Sequence, residues 1–142
     1  MIVENILKAK GGNVFTVDET ARVADAVAIL NSENIGVVII VDSDGAPTGI
    51  LSERDIIRRL TSDTASVLLS PVVKCMTPKP VTCAPDTSVD EVMQTMSARR
   101  IRHLPVVESG KLIGLISIGD VVKRKIAQAE EEAAALRDYI AS

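Results

Sequence analysis

Two short segments hold the side chains best suited to chemistry: Gly49–Asp55, which reads GILSERD, and Gly114–Asp120, which reads GLISIGD. Both fit the pattern G-x-x-S-x-x-D. A hydroxyl followed three residues later by a carboxylate is close to a capping box, in which the two side chains satisfy free N–H groups at a helix start. The same arrangement suits an anion or a sugar, because exposed N–H groups at a helix N-terminus attract negative charge. In that reading Ser52 and Ser117 meet phosphate or ribose oxygens. Asp55 and Asp120, one turn into their helices, accept hydrogen bonds from a ribose diol, as the acidic residue does in dinucleotide folds. Both readings stand, since a structural cap would be duplicated as readily as a binding site.

A third segment, Arg99–Pro105, reads RRIRHLP and gathers three arginines beside the only histidine of the chain. Arg99 and Arg100 suit a helix C-terminus, where cations complement the dipole. Arg102 and His103 stand directly before a strand that would carry them toward a crevice, within reach of phosphates.

The elements that must position these residues come from an internal repeat. Phe15–Leu60 lies over Val81–Lys125 with one residue deleted near Ser43. Thr16, Val23, Ile35 and Val41 then match Thr82, Val89, Ile101 and Val107. Beyond the gap Gly45, Gly49, Ser52, Asp55 and Arg59 match Gly110, Gly114, Ser117, Asp120 and Arg124. Each copy reads strand, helix, strand, strand, helix. Val23, Ala26, Val27 and Leu30 form an apolar stripe at helical spacing, and Val89, Val92, Met93 and Met96 repeat it. Ser88 with Glu91 forms a capping box for the second copy's first helix, and Thr20 is the expected N-cap in the first. Val37–Val41 and Leu104–Val107 read as strands, turning through Asp42–Pro47 and Glu108–Lys111 into Thr48–Leu51 and Leu112–Ile116. In the first copy Gly36 and Val37 stand where the second has Arg102 and His103, so the two clefts are expected to differ in charge.

A unit of this size buries little surface alone, so the copies are expected to pack face to face about a pseudo-twofold axis as one α/β module. The expected boundaries are an N-terminal segment 1–12, repeats 13–60 and 79–126, a proline-containing linker 61–78 and a helical tail 127–142. In the tail Ile126, Ala129, Ala133, Leu136 and Ile140 alternate spacings of three and four. That stripe either pairs with a second subunit or covers its own module, and Glu130–Glu132 form its wet face.

Composition excludes several classes. A net charge of -3 gives no positive field for a phosphate backbone. Phe15 and Tyr139 are the only aromatics, too few for a stacking platform. Nucleic acid is therefore not the expected partner. The longest apolar run, Ile35–Val41, is far short of the roughly 20 residues that cross a bilayer. The N-terminus lacks a secretory signal pattern, and a cytoplasmic location is expected. One histidine and two cysteines give no usual metal set. Cys83 falls where the first copy has Val17 and reads as a small buried hydrophobe.

The twin G-x-x-S-x-x-D junctions, the doubled unit and the segment IRHLPVVE together resemble the cystathionine-β-synthase (CBS) domain family. The likeness covers nearly the whole chain and implies a stand-alone pair of domains, often dimeric. The resemblance implies a regulatory module with no chemistry of its own, binding AMP, ADP, ATP, NAD or S-adenosylmethionine in two interdomain clefts. It implies that Asp55 and Asp120 hold ribose hydroxyls, with Ser52 and Ser117 beside the sugar and phosphate. Backbone around Thr16, Val17, Thr82 and Cys83, with Gly36, Val37, Val38 and His103–Pro105, would line the adenine pockets. Arg102 and His103 would contact phosphate, and Arg54 is a further phosphate candidate. No catalytic cofactor, metal or catalytic residue is implied, and the regulated protein is unidentified. Two readings compete with this one. A phosphohydrolase using Asp55, Asp120 and His103 lacks metal-ligand clusters and a nucleophile motif. A ligand-free assembly module would need only the repeats and the tail.

Overall fold

The computed structural model describes residues 1–142. Its first elements are helix α1 (Val3–Lys10), strand β1 (Thr16–Asp18), helix α2 (Val23–Glu33), the hairpin β2 (Val37–Val41) and β3 (Pro47–Ser52), and helix α3 (Glu53–Leu60). The connector holds a 3-10 turn (Val67–Leu69), the short helix α4 (Val72–Cys75) and strand β4 (Thr77–Pro78). Helix α5 (Val89–Arg99), the hairpin β5 (His103–Glu108) and β6 (Lys111–Ser117), and the long helix α6 (Ile118–Ala141) follow. No helix is long and apolar enough to cross a membrane.

The apolar stripes become core as their periodicity dictates. Val23, Ala26 and Leu30 are buried in one cluster with Val38, Ile40 and Leu51. Val89, Val92 and Met96 are buried in another with Leu104, Val106 and Ile116. Met93 departs from the expected stripe and is exposed. Ser88 caps α5 by accepting from the Glu91 N–H at 3.0 Å. Thr20 does not cap α2. The N-cap is Arg22, whose N–H donates to Asp25 Oδ2 at 2.9 Å, while Asp18 claims both the N–H and the hydroxyl of Thr20 in a turn. A short acceptor two residues upstream outcompeted the capping position for the same hydroxyl. Both first helices end on a left-handed residue, Asn34 and Arg100, at the same place in the two copies.

β2 pairs antiparallel with β3 and parallel with β1, and β4 extends that sheet to four strands. In the second copy β5 pairs with β6, and the opening strand shrinks to a single bridge between Cys83 and Val106. Pro80 and Pro85 bracket Cys83, and a proline has no N–H to give to a ladder. Val38 and Ile40 enter the first core, whereas Val37 and Ile39, on the opposite face of β2, are buried outside it. Pro105 repeats this on β5, so each hairpin is buried on both faces. The hairpin tips meet where Leu112 N–H donates to Gly45 O at 2.9 Å.

The two copies exchange their flanking segments. α1 packs against the second copy, with Val3 and Ile6 among the residues of its core. Val67 and Val72 of the connector complete the first core. The backbone repeats the swap. Val3 N–H donates to Thr87 O and Val89 N–H to Met1 O, as Val72 N–H donates to Ala21 O and Val23 N–H to Ser70 O. Gly114 and Gly49 leave room for this. A Cβ on Gly114 would come within 2.7 Å of Leu7, and one on Gly49 would collide with Met76. The expected tail is not a separate element but the second half of α6, and its apolar residues do not cover the module, since Ile126, Leu136 and Ile140 are all exposed.

Candidate functional site

Each hairpin delivers a serine and each following helix an aspartate. Ser52 is the N-cap of α3; its Oγ accepts from Asp55 N–H at 3.2 Å, and Asp55 Oδ2 accepts from Ser52 N–H at 2.9 Å. Ser117 and Asp120 reproduce this at 3.2 and 2.9 Å at the start of α6. The next N–H at each helix start goes to a neighbouring carbonyl, Glu53 to Gly36 O at 3.0 Å and Ile118 to Arg102 O at 2.8 Å. The capping arrangement is therefore present in both copies. It consumes Oδ2 of each carboxylate. Oδ1 of Asp55 meets only the Thr77 hydroxyl, at 3.5 Å, and Oδ1 of Asp120 has no hydrogen-bond partner.

The pairing register sets what lies beside each serine. Val37 is opposite Ser52, and His103 is opposite Ser117. His103 is half-buried, Arg102 is exposed just ahead of β5, and Pro105 is buried with its carbonyl accepting from Cys83 N–H at 3.0 Å. Arg99 closes α5 and Arg100 is its exposed C-cap. Thr16 and Thr82 are exposed, Val17 and Cys83 are buried, and Val38 is wholly within the first core. Gly36 is exposed beside Glu53, and Arg54 is exposed on α3 without an ion-pair partner. Burial raises the Cys83 thiol to about 11, so it remains protonated and unreactive at neutral pH.

The second junction contains a residue that the repeat does not reveal. Lys10, the last residue of α1, donates from Nζ to Asp120 Oδ2 at 2.7 Å and to Leu115 O at 2.9 Å. Burial pushes the Asp120 carboxyl up, but the hydrogen bonds from Lys10 and Ser117 outweigh it and hold the group below its ordinary value. His103 is held below its ordinary value, first by burial and then by Lys10 and Arg102, with Asp120 opposing. Asp120, Lys10, Arg102 and His103 thus form one electrostatic cluster. The signal for Lys10 lay outside the repeat window. Val3 and Leu7 share the spacing of Val72 and Met76, which aligns α1 with the connector and puts Lys8 over Thr77 and Lys10 over Lys79.

Two hollows flank the first copy. One of about 590 Å³ is lined by Thr16, Val17, Asp18, Thr20, Asp25 and Val41, at the end of the sheet away from Ser52. The other, about 270 Å³, lies where Asp55 meets Arg58, Arg59, Ser62, Lys74 and Cys75.

Two interlocked β-α-β-β-α copies, each presenting a Ser–Asp pair at a strand-to-helix junction, define a paired-domain α/β module. The chain belongs to the CBS domain family, whose model matches residues 5–62 and 72–126. It is 34% identical over 148 residues to the mitochondrial CBS domain-containing protein CBSX3 of Arabidopsis thaliana, covering 97% of this chain and 71% of that protein. It spans 22% of a longer relative from the same plant, CBSCBSPB1, at 34% identity. Among solved structures it resembles a CBS-domain containing protein of Agrobacterium tumefaciens, with TM-score 0.82 and 38% identity over 88% of this chain and 99% of that one. It also resembles the CBS domain pair of protein MJ0100, solved with 5-methylthioadenosine and S-adenosyl-L-methionine, with TM-score 0.79 and 26% identity over 90% and 98% of the two chains.

Proposed function

We propose that this chain is a cytoplasmic regulatory sensor that binds adenosine-based ligands, AMP foremost, at its two Ser–Asp junctions and performs no chemistry itself. The observation that carries the reading is the carboxylate oxygen that each cap leaves unused, Oδ1, unpartnered in Asp120 and met only by the Thr77 hydroxyl at 3.5 Å in Asp55. Ser52 and Ser117 occupy Oδ2, so Asp55 and Asp120 are oriented by the helix start while Oδ1 stays available to a ribose hydroxyl. The complex of MJ0100 with two adenosine derivatives supports the class of ligand. With only two aromatics in the chain, the base would lie between aliphatic side chains such as Val37 and Pro105 and be read by backbone groups.

A homodimer is part of this reading. Val122, Ile126, Ala129, Ala133, Leu136 and Ile140 form a heptad seam that the module leaves exposed. Glu130 and Arg137 flank it on one side and Lys125 and Glu132 on the other, so in a parallel pair Lys125 can meet Glu130 of the second copy and Glu132 its Arg137.

The test is a thermal-unfolding panel of nucleotide-free protein with AMP, ADP, ATP, NAD, S-adenosylmethionine and GMP. A ligand at 100 times its Kd stabilises by about 2.7 kcal/mol, roughly 5 to 10 °C for a chain of this length. Adenine-selective shifts that Asp55→Ala and Asp120→Ala each weaken are expected. A flat panel with a tight dimer would replace the sensor by a ligand-free assembly module.

A further inference from the structure

We propose that Lys10 is a specificity-determining residue that makes the Asp120 junction select phosphorylated adenosines over unphosphorylated ones. The inference rests on the nucleotide reading above and adds to it a residue delivered from the far end of the chain.

Lys10 is placed by a rigid support. α1 is tied to the second copy through Val3 and Ile6 in its core, through Leu7 over Gly114, and through the bonds of Val3 and Glu4 N–H to Thr87 O and Pro85 O at 2.8 and 2.9 Å. The ammonium carries three N–H donors. Two are engaged, one on Asp120 and one on Leu115 O, which leaves one for a ligand oxygen. The side chain is one-third exposed, so a ligand can reach it.

Charge decides what that ligand should be. The Asp120 carboxylate is already neutralised by Lys10, and Arg102 adds a positive charge beside the neutral His103 ring. A sugar diol that takes Oδ1 of Asp120 competes with Lys10 for the same carboxylate and weakens that ion pair. An unphosphorylated adenosine offers nothing in return. A phosphate within reach of Nζ replaces the weakened contact with a stronger charge-assisted bond. Selection thus comes from a penalty on the neutral ligand as well as a gain for the charged one. The Asp55 junction has no such ion pair, since Lys79, which aligns with Lys10, makes none. Thr77, a neutral hydroxyl, stands by its carboxylate, and no cation lies within ion-pair distance of Asp55. Arg58, Arg59 and Lys74 line the neighbouring hollow without pairing with it.

The experiment is calorimetric titration of the full chain with AMP and with adenosine. Asp55→Ala isolates the Asp120 junction, and Asp120→Ala isolates the other. At the Asp120 junction AMP should bind at least 10-fold more tightly than adenosine. Lys10→Met should weaken AMP about 10-fold or more and leave adenosine equal or tighter, whereas Lys10→Arg should keep the preference. At the Asp55 junction Lys10→Met should change neither ligand. Circular dichroism of Lys10→Met establishes that the fold is intact, and Lys10→Arg decides the question should it not be. An AMP-to-adenosine ratio unchanged by Lys10→Met, or lost equally in Lys10→Arg, overturns the role of Lys10 while leaving the sensor reading in place. Binding of neither ligand to unmodified protein overturns both.

Discussion

Asp120 carries two roles in one carboxylate. Its Oδ2 closes the cap on α6 and also receives Lys10, so substitutions at this cluster separate stability from charge. Ser117→Ala removes the acceptor for the Asp120 N–H and should cost about 1 kcal/mol, the usual worth of an N-cap, measured by urea unfolding. Because the chain has a single histidine, the His103 ring protons can be followed by proton NMR without overlap from another imidazole. The His103 pKa should lie below 6.5, chiefly because burial disfavours the charged ring. Lys10→Met should raise it, by removing a repelling charge, and Asp120→Asn should lower it further, by removing an attracting one. The stability sign follows. The folded-state value is depressed, so the contribution of neutral His103 is complete above 6.5 and is lost as pH falls through the folded value. Asp120 behaves likewise in a lower window, from 3.8 downward. A His103 resonance titrating above 6.5 would contradict the cluster geometry.

At the scale of elements, α1 belongs to the copy that is distant in sequence. Ile6→Ala opens a cavity in the core that Ile6 shares with Val3, Val92 and Ile116 and should cost about 2 to 5 kcal/mol. Its local signature is the sharper readout. Hydrogen exchange should speed up in α5, β5 and β6, residues 89–117, before it does in α2 and β2. Gly114→Ala should act on the same region, because its methyl would press into Leu7. The long helix makes a separate prediction. Ending the chain after Ala127 removes half of α6 and four seam residues, Ala129, Ala133, Leu136 and Ile140, without touching either core. Monomer cores should stay intact, and sedimentation velocity should show weaker self-association than the full chain.

For the whole molecule, the exchange of α1 and the connector means that neither core is complete within its own repeat. The first needs Val67 and Val72, and the second needs Val3 and Ile6. Unfolding one copy therefore strips residues from the other. A single calorimetric transition is expected, with van't Hoff and calorimetric enthalpies equal, and two resolved transitions would show that the interlock carries little energy.

Much of this is legible in the amino-acid sequence, because it is written locally. The 3.6-residue stripes of Val23–Leu30 and Val89–Met96, the β-branched run Val37–Val41 and the Ser-x-x-Asp boxes depend on neighbours a few residues away. Duplication doubles each signal, which is why both hairpins and both caps are readable. What depends on a competing neighbour or a distant partner is not. Thr20 loses the cap to a nearby turn acceptor, Asp18. The second copy's first strand, bracketed by prolines, reduces to one bridge. The tail stripe leaves open whether it faces inward or outward, and only packing turns it outward. Above all, the meeting of Lys10 with Asp120 spans 110 positions and follows from a segment exchange that no local pattern encodes. Sequence determined the repeat, its elements and the two Ser–Asp capping boxes. Tertiary structure decided which junction receives a lysine, because a helix is assigned to whichever core buries its apolar face.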